Sequence, residues 1–261
     1  MTPPTALVTG AARGIGAAVT HRLVGRGFHV IAVDGCAGAG GGTAYGLATR
    51  ADLDAVADGH PGRVTPVVAD VRDPTALAAV VEQVRSERGG LSVVVAGAAV
   101  IAGGDALWET DDAVLESVWR SDAVSVWNTA KATLPLLLEQ PADVRPSFVA
   151  ITSAAGEHGL YHLSAYCMAK HAVVGLVRAL AADVAGRTVT VAGVSPGSTS
   201  TDLLRETARI YGLADVSGLV AEQAIGRALE PDEVAAVVEL ACTAGPVVHG
   251  AILSATGGFR S

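Results

Sequence analysis

The sequence predicts an α/β fold in which a parallel β-sheet of about seven strands is covered by helices on both faces. Short β-branched runs alternate with longer helical patterns, these runs lack polar alternation, and no break in composition divides the 261 residues. Strands without polar alternation are typical of parallel sheets that are buried on both sides. We therefore predict a single doubly wound Rossmann-type domain over residues 1–261.

The strands are recognised as short runs of Val, Ile, Leu and Ala. In chain order they are predicted at residues 6–8, 29–33, 64–68, 91–95, 148–152, 188–194 and 251–253. Two longer connections interrupt the regular alternation of strands and helices. Residues 35–62 form an insertion rich in glycine, and residues 202–229 form a predicted substrate lid.

The helices between these strands carry recognisable end signals. A helix at 17–27 ends at Gly27, a plausible C-cap. A helix at 74–88 begins with Pro74, which the first turn of a helix tolerates. A long helix is predicted at 163–184, and a last helix at 231–243 has acids in its first turn.

Composition excludes several classes of function. The formal net charge is −8 and no basic stripe is visible, which argues against binding to nucleic acid or to an anionic membrane surface. No apolar stretch reaches the roughly 20 residues of a membrane span, and no signal peptide is readable. The three cysteines are odd in number and far apart, which favours a reducing cytoplasm over a disulfide framework. Because aromatic residues make up only 4%, Ala, Val, Leu and Gly are expected to fill the interior. Trp108, Trp119 and Trp127 are expected to anchor the packing of the region around the fourth helix.

The first strand is followed by a glycine-rich turn that opens the first helix. Gly10, Gly14 and Gly16 allow a tight turn and close approach of the backbone to a pyrophosphate, and the helix N-terminus offers free N–H groups. Asp34 ends the second strand, where a carboxylate can bind an adenosine ribose and repel a 2′-phosphate. This favours NAD over NADP, although Arg13 could contact a phosphate and points the other way. A plain tight turn and a loop-start aspartate are the structural alternatives.

A second constellation points to proton transfer. Tyr166 and Lys170 lie four residues apart on the predicted long helix, so their side chains share one face. Ser153 follows the fifth predicted strand. A phenol, a neighbouring cation and a strand-end hydroxyl are what proton exchange with an alcohol oxygen requires. The cation is expected to lower the pKa of the phenol towards working pH.

Together these residues resemble the short-chain dehydrogenase/reductase family over essentially the whole chain. The matching motifs are Thr9-Gly10-x3-Gly14-x-Gly16, Asp34, Asp70-Val71, Ser153, Tyr166-x3-Lys170, Pro196-Gly197 and Gly257-Gly258. The resemblance implies hydride transfer between NAD(H) and an alcohol or carbonyl substrate. It also implies a homotetramer or dimer built partly on the long helix.

The resemblance assigns roles to particular residues. Ser153, Tyr166 and Lys170 would be catalytic, and Lys170 would also hold the nicotinamide ribose. Cofactor contacts are implied for Gly10, Arg13, Gly14, Ile15, Gly16, Asp34, Asp70, Val71, Gly97, Tyr166, Lys170, Pro196, Gly197, Thr199 and Thr201. Ala155, His158 and His162 are expected to line the substrate pocket, with a solvated loop as the alternative for the two histidines. A metal site at the two histidines is not expected, because Gly159 interrupts the helical spacing that zinc ligation needs.

Two positions depart from the family pattern. Gly97-Ala98-Ala99 stands where the family usually has Asn-Ala-Gly, which changes how this turn is braced. Asp122 aligns with an asparagine that relays protons through Lys170 in the family. We therefore expect Asp122 either to hold a relay water or to pair directly with Lys170 and keep it charged.

The insertion suggests a narrower resemblance. Residues 45–53 and 103–109 look similar to the mycofactocin-coupled subfamily, in which such an insertion covers the dinucleotide. This resemblance implies that NAD stays bound during turnover and that a mycofactocin redox carrier reoxidises it. The alternatives are a free-standing carbonyl reductase or dehydrogenase with exchangeable cofactor, and a non-catalytic dinucleotide sensor.

Overall fold

The sheet has the predicted architecture. The computed structural model describes residues 3–141, 143–221 and 223–259; residues 1, 2, 142, 222, 260 and 261, which belong to the predicted domain and lid, lie outside this part. The strands are β1 (Thr5–Thr9), β2 (His29–Asp34), β3 (Val64–Val68), β4 (Val93–Ala96), β5 (Ser147–Ile151), β6 (Thr190–Pro196) and β7 (Ile252–Ala255). All seven pair in parallel in the order β3-β2-β1-β4-β5-β6-β7, which confirms the predicted α/β fold.

Helices cover both faces of this sheet. They are α1 (Gly14–Gly25), α2 (Arg50–Asp58), α3 (Pro74–Arg88), α4 (Asp112–Val118), α5 (Ser125–Leu138), α6 (Ser164–Asp183), α7 (Asp202–Ile210), α8 (Ser217–Val220) and α9 (Pro231–Thr243). A π-helical segment, Trp119–Val124, joins α4 to α5. Apolar side chains of α1, α2 and α9 pack against one face, and those of α3, α5 and α6 against the other.

The order of the strands places a crevice at their carboxyl ends. β1 pairs with β2 on one side and with β4 on the other, so the chain leaves β1 and β4 in opposite directions. In a doubly wound sheet this reversal opens the crevice in which ligands bind. The loops after β1, β2, β4, β5 and β6 all meet there, and they carry the motifs found in the sequence.

One helix inside the predicted insertion was not expected from the sequence. α2 begins after Thr49, whose hydroxyl accepts a hydrogen bond from Asp52 N at 3.3 Å, while the Asp52 carboxylate accepts one from Thr49 N at 2.7 Å. This reciprocal capping box is encoded by the spacing Thr49-x-x-Asp52. The irregular part of the insertion is therefore confined to residues 35–49 and 59–62.

The expectation for the tryptophans was wrong. Trp108, Trp119 and Trp127 are 84%, 37% and 58% exposed, because they lie on the outer side of the region between β4 and β5. The interior of the described part is filled mainly by Val, Leu and Ala, as the low aromatic content predicted, and Phe148 is the largest fully buried side chain there. One helix of the described part, α6, meets the length and composition of a membrane span, but its inner side chains, such as Val173 and Val177, are buried against the sheet.

Candidate active site

The glycine-rich turn after β1 lines the crevice with backbone. Gly10 has a φ of +69°, a left-handed conformation that glycine adopts without steric cost. A Cβ atom on Gly16 would lie 2.0 Å from the Gly10 carbonyl oxygen, so only glycine fits there. Gly14, Ile15 and Gly16 form the start of α1, whose first N–H groups have no helical partners. This cradle fits the pyrophosphate of a dinucleotide.

The neighbouring turn after β4 is braced by a threonine instead of the usual asparagine. The Thr9 hydroxyl accepts hydrogen bonds from Gly97 N at 3.1 Å and from Ala98 N at 3.3 Å. A Cβ atom on Gly10 would lie 2.8 Å from the Cα of Ala98, so the two turns are in close contact. The loss of the asparagine side chain is thus compensated from β1.

Asp34 is held at the mouth of the crevice by backbone donors. Its Oδ1 accepts from Cys36 N at 3.0 Å, and its Oδ2 accepts from Ala12 N at 3.2 Å. These bonds orient the carboxylate but leave further lone pairs free, because an ionised carboxylate has about four acceptor sites. The position therefore fits recognition of the adenosine ribose hydroxyls.

The turn after β3 contains an ion pair that the sequence analysis missed. Arg72 donates from Nε and Nη2 to the Asp70 carboxylate over 2.7–3.0 Å, and this hydrogen-bonded pairing lowers the pKa of Asp70. Asn128 on α5 donates to the carbonyl oxygens of Val71 and Arg72, both at 3.2 Å. All of the residues of this turn, Asp70 to Arg72, line the crevice. The Asp70 carboxylate is thus already engaged where an adenine would bind.

The insertion crosses the crevice and is fastened at two points. The Tyr45 hydroxyl accepts a hydrogen bond from Ile101 N at 3.2 Å, and Arg13 Nη2 donates to Gly46 O at 2.9 Å. Arg13 also forms an ion pair with Asp202 at the start of α7, with 2.7 Å between Nη1 and Oδ2. One guanidinium on the phosphate turn therefore joins the insertion to the predicted lid.

The predicted catalytic side chains converge at the inner end of the crevice. Tyr166 and Lys170 lie one helical turn apart on α6, and Lys170 Nζ is 5.5 Å from the centroid of the Tyr166 ring. Ser153 follows β5, and its hydroxyl lies near the Tyr166 phenol. The three line one wall of the crevice together, so a substrate oxygen there could meet a hydroxyl, a phenol and a nearby cation.

Asp122 lies behind Lys170. It belongs to the π-helical segment and is fully buried. Its Oδ1 accepts a hydrogen bond from Val100 N at 2.9 Å, and its Oδ2 lies 3.1 Å from Lys170 Nζ. Lys170 is itself only 2% exposed. Of the two arrangements expected for Asp122, the structure contains the direct pair with Lys170.

Burial dominates the titration of the catalytic groups. Burial raises the pKa of Tyr166 above its ordinary value, and the opposing attraction of Lys170 does not overcome it. Asp122 adds to this rise, whereas the Ser153 hydroxyl acts against it. Lys170 therefore lowers the phenol pKa as expected, but this contribution is smaller than the rise that burial causes. Burial also disfavours charge on Lys170, but Asp122 and Tyr166 outweigh it and leave the pKa of Lys170 raised.

The residues expected to line the substrate pocket lie elsewhere. Ala155 is fully buried behind the wall, and its N–H donates to Ser153 Oγ at 3.1 Å. The His162 ring hydrogen-bonds Gly104 O at 2.9 Å and stacks on Tyr161, while His158 lies against Phe259 with 5.6 Å between ring centroids. The cavity that Ser153 lines has apolar side chains in its walls instead. They are Ile101, Leu160, Leu163, Leu203 and Phe259.

The crevice brings the other predicted residues together in a cavity of about 590 Å³. Each residue predicted to contact the cofactor lines it, including those after β6, whereas Asp122 does not. The residues after β6 are Pro196, Gly197, Thr199 and Thr201. Within the described residues, no three His, Cys, Asp or Glu side chains are placed to hold a metal ion. The cavity therefore suits an organic dinucleotide with its substrate.

The family described as short chain dehydrogenase matches residues 4–211 of this sequence. The chain belongs to the short-chain dehydrogenase family. An "Uncharacterized NAD-dependent oxidoreductase" of Mycobacterium tuberculosis is 32% identical over 218 residues, which cover 82% of this chain and 78% of that protein. This short-chain dehydrogenase is an NAD-dependent oxidoreductase.

Two further similarities are informative about the short-chain dehydrogenase. Cis-4-hydroxycyclohexanecarboxylate dehydrogenase of Sinomonas cyclohexanicum is 36% identical over 259 residues, 98% of this chain and 96% of that protein. The solved structure of carveol dehydrogenase from Mycobacterium avium in complex with NAD superposes with a TM-score of 0.89 at 26% identity, and covers 99% of this chain and 98% of that one. A similar fold thus binds NAD in that protein.

Proposed function

We propose that this dehydrogenase interconverts an apolar secondary alcohol and its ketone. The observation that carries the proposal is the convergence of Ser153, Tyr166 and Lys170 at the inner end of a crevice whose outer part fits a dinucleotide. Bound NAD would accept a hydride in the oxidation and donate one in the reduction. The protein would supply the proton transfer and the alignment of the substrate.

Each of the three side chains has a distinct part in this reaction. The Tyr166 oxygen would take the proton of the alcohol in the oxidation and return one to the carbonyl oxygen in the reduction. The Ser153 hydroxyl would donate a hydrogen bond to the same substrate oxygen and fix its position. Lys170, one turn away, would hold the ribose hydroxyls and stabilise the phenolate.

The walls of the cavity support an apolar substrate. Leu160, Leu163, Leu203 and Phe259 line the same cavity as Ser153 and can bury hydrocarbon but offer it no hydrogen bonds. Two relatives are named for ring alcohols, the hydroxycyclohexanecarboxylate enzyme and (-)-trans-carveol dehydrogenase of Rhodococcus erythropolis, which is 35% identical over 211 residues, 79% of this chain and 75% of that protein. We therefore place cyclic secondary alcohols first among the substrates to test.

We further propose that NAD stays bound between turnovers and is reoxidised by mycofactocin. The support is the insertion: Tyr45 and Leu47 line the crevice, and the contacts of Tyr45 with Ile101 and of Gly46 with Arg13 hold them over it. A nucleotide beneath this cover could leave only after those contacts break. An external carrier would then have to receive the electrons inside the closed protein.

A panel of cyclic and open-chain secondary alcohols tests both parts of the proposal. The protein as purified is assayed once with an artificial dye acceptor and once with added NAD alone. Turnover with the dye but not with added NAD supports a retained cofactor, whereas rapid turnover with added NAD favours the free-standing dehydrogenase or reductase. Tight nucleotide binding with no turnover under either condition would favour the non-catalytic sensor and contradict the proposal.

Tyr45→Phe is expected to speed the release of bound NAD. The substitution removes the hydroxyl that accepts the Ile101 N–H and leaves that buried donor unpaired. A lost hydrogen bond of about 1 kcal/mol corresponds to release about fivefold faster. Stopped-flow displacement of bound NADH by excess NAD measures the rate. Tyr211→Phe is the matched control, because its hydroxyl bonds Tyr161 O, away from the insertion; equal release from the two variants would contradict the role of Tyr45.

We also propose a cytoplasmic homotetramer. Trp127 on α5 and Met168 on α6 are 58% and 47% exposed, and exposed apolar side chains on the outer faces of helices fit burial against other copies. The three cysteines are free in the structure, which fits a reducing compartment. Light scattering of the purified protein measures the assembly, and a monomeric mass would contradict it.

A further inference from the structure

Asp122 places a carboxylate where a neutral partner would satisfy the same hydrogen bond. The Val100 N–H needs only an acceptor, and an asparagine side-chain oxygen could serve it equally. The carboxylate adds a charge 3.1 Å from Lys170 Nζ, and both groups are shielded from solvent. The cation of this site is thus part of a buried ion pair.

This ion pair changes the effect of Lys170 on the ionisation of the Tyr166 phenol. A lone ammonium beside a phenol favours the phenolate, whereas a nearby carboxylate favours the neutral phenol. Because the surroundings are apolar and buried, neither effect is strongly screened. The carboxylate therefore offsets much of the positive field that the phenol would otherwise experience.

Within the part of the chain that the structure describes, the other groups around the phenol carry no charge that could replace this effect. Ser153 from the end of β5 is neutral, and Cys167, next to Tyr166 on α6, has its thiol pKa raised by burial. Tyr45, which reaches in from the insertion, has a pKa raised to about 12 by burial. The charges that act on Tyr166 are thus those of Lys170 and Asp122.

We propose that Asp122 sets the pH range in which the enzyme works, by cancelling the positive charge of Lys170 beside the Tyr166 phenol. Asp122 is a positioning residue here, because it acts through Lys170 and does not line the cavity. The proposal rests on the proposed alcohol–ketone chemistry. According to this proposal, the Tyr166 phenol is protonated at neutral pH. It can then donate its proton to a ketone at that pH, whereas oxidation of the alcohol accelerates as the pH rises.

The negative charge of Asp122 alone determines in which direction the pH dependence shifts. Tyr166 and Lys170 titrate as a coupled pair, and a fixed negative charge nearby makes the pair hold its proton more tightly. Removing that charge lowers the pH at which the pair loses a proton, whichever of the two atoms carried it. Alcohol oxidation, which needs the deprotonated pair, must then reach its plateau at lower pH.

Asp122→Asn tests the proposal, because it removes the charge and keeps an acceptor for Val100. The rate of alcohol oxidation by the holoenzyme is measured against pH, and its rising limb is expected to move by about one unit or more to lower pH. The falling limb of ketone reduction moves in the same direction. Glu82→Gln, which removes an exposed charge on α3, is the matched control and leaves both limbs in place.

Two outcomes overturn the proposal. If Asp122→Asn lowers the rate but leaves both limbs of the pH–rate profiles in place, Asp122 has only a structural role. If a limb moves to higher pH, the charge of the carboxylate does not act on Tyr166 as proposed. A second measurement does not depend on that variant: phenolate absorbance of the wild-type holoenzyme minus that of Tyr166→Phe. Ionisation of Tyr166 below the ordinary value of about 10 contradicts the proposal. The same absorbance remains informative if no alcohol is oxidised, which would instead refute the proposed function.

Discussion

Replacing Tyr166 with phenylalanine is expected to lower the rate of alcohol oxidation by at least about 10²-fold. The substitution removes one oxygen, and with it the proton acceptor positioned beside Ser153 and Lys170. Positioned acid–base groups contribute about 10²–10⁴-fold to rates. Because the ring remains, the packing of α6 should be preserved. Steady-state rates with saturating alcohol, at equal nucleotide occupancy, measure the loss.

Tyr161→Phe is the appropriate control for this experiment. Tyr161 is also a phenol near the crevice, but it is 75% exposed and stacks on His162. Its hydroxyl should be dispensable, so turnover should stay close to that of the wild type. If Tyr166→Phe kept turnover similar to that of Tyr161→Phe, the assignment of the proton-transfer residue would be wrong.

Lys170→Met is expected to destabilise the protein as well as to abolish turnover. The substitution leaves the Asp122 carboxylate buried without its cation. Removing one partner of a buried ion pair costs about 3–5 kcal/mol. The free energy of unfolding, measured by urea denaturation of the nucleotide-free protein, should fall by this amount. Lys131→Met is the matched control, since Lys131 is the other lysine of the chain and is exposed on α5.

The destabilisation should depend on pH in a defined direction. Burial raises the pKa of Asp122 in the folded protein, and without Lys170 nothing of comparable strength opposes it. A carboxyl with a raised folded pKa destabilises the fold once the pH exceeds its unfolded value of about 4, so the loss should grow from acid towards neutral pH. The double variant Lys170→Met/Asp122→Leu should recover most of the stability but none of the turnover. If Lys170→Met were as stable as Lys131→Met at every pH, this interpretation would be contradicted.

Local sequence patterns predicted the fold and much of the site. Short apolar runs identified the strands, and the four-residue spacing of Tyr166 and Lys170 placed both on one helix face because the helical period dictates it. Asp34 could be placed because it ends a strand that neighbours β1. These predictions depended on periodicity and on chain order, which a sequence displays directly.

Contacts between distant segments could not be read in this way. Tyr45 and Ile101 are 56 residues apart, and no local period connects them. The pairing of Arg72 with Asp70 is local, but it could not be predicted either, because it depends on side-chain rotamers. The histidines were misplaced for a related reason: their positions near Ser153 in sequence do not specify which way the loop turns, and His162 adopts a φ of +56° that directs its ring towards Gly104.

The reversal of strand order between β1 and β4 separates the part of the chain that would bind the nucleotide from the part that would bind the substrate. Under the proposed function, residues before β4 would supply the adenosine and phosphate contacts, and residues after it would supply the reacting side chains and the apolar walls. We therefore expect a substitution in the first half to change how tightly the nucleotide binds, and one in the second half to change which substrates the enzyme converts. New substrate preferences can therefore evolve on Leu160, Leu203 or Phe259 without rebuilding the nucleotide cradle.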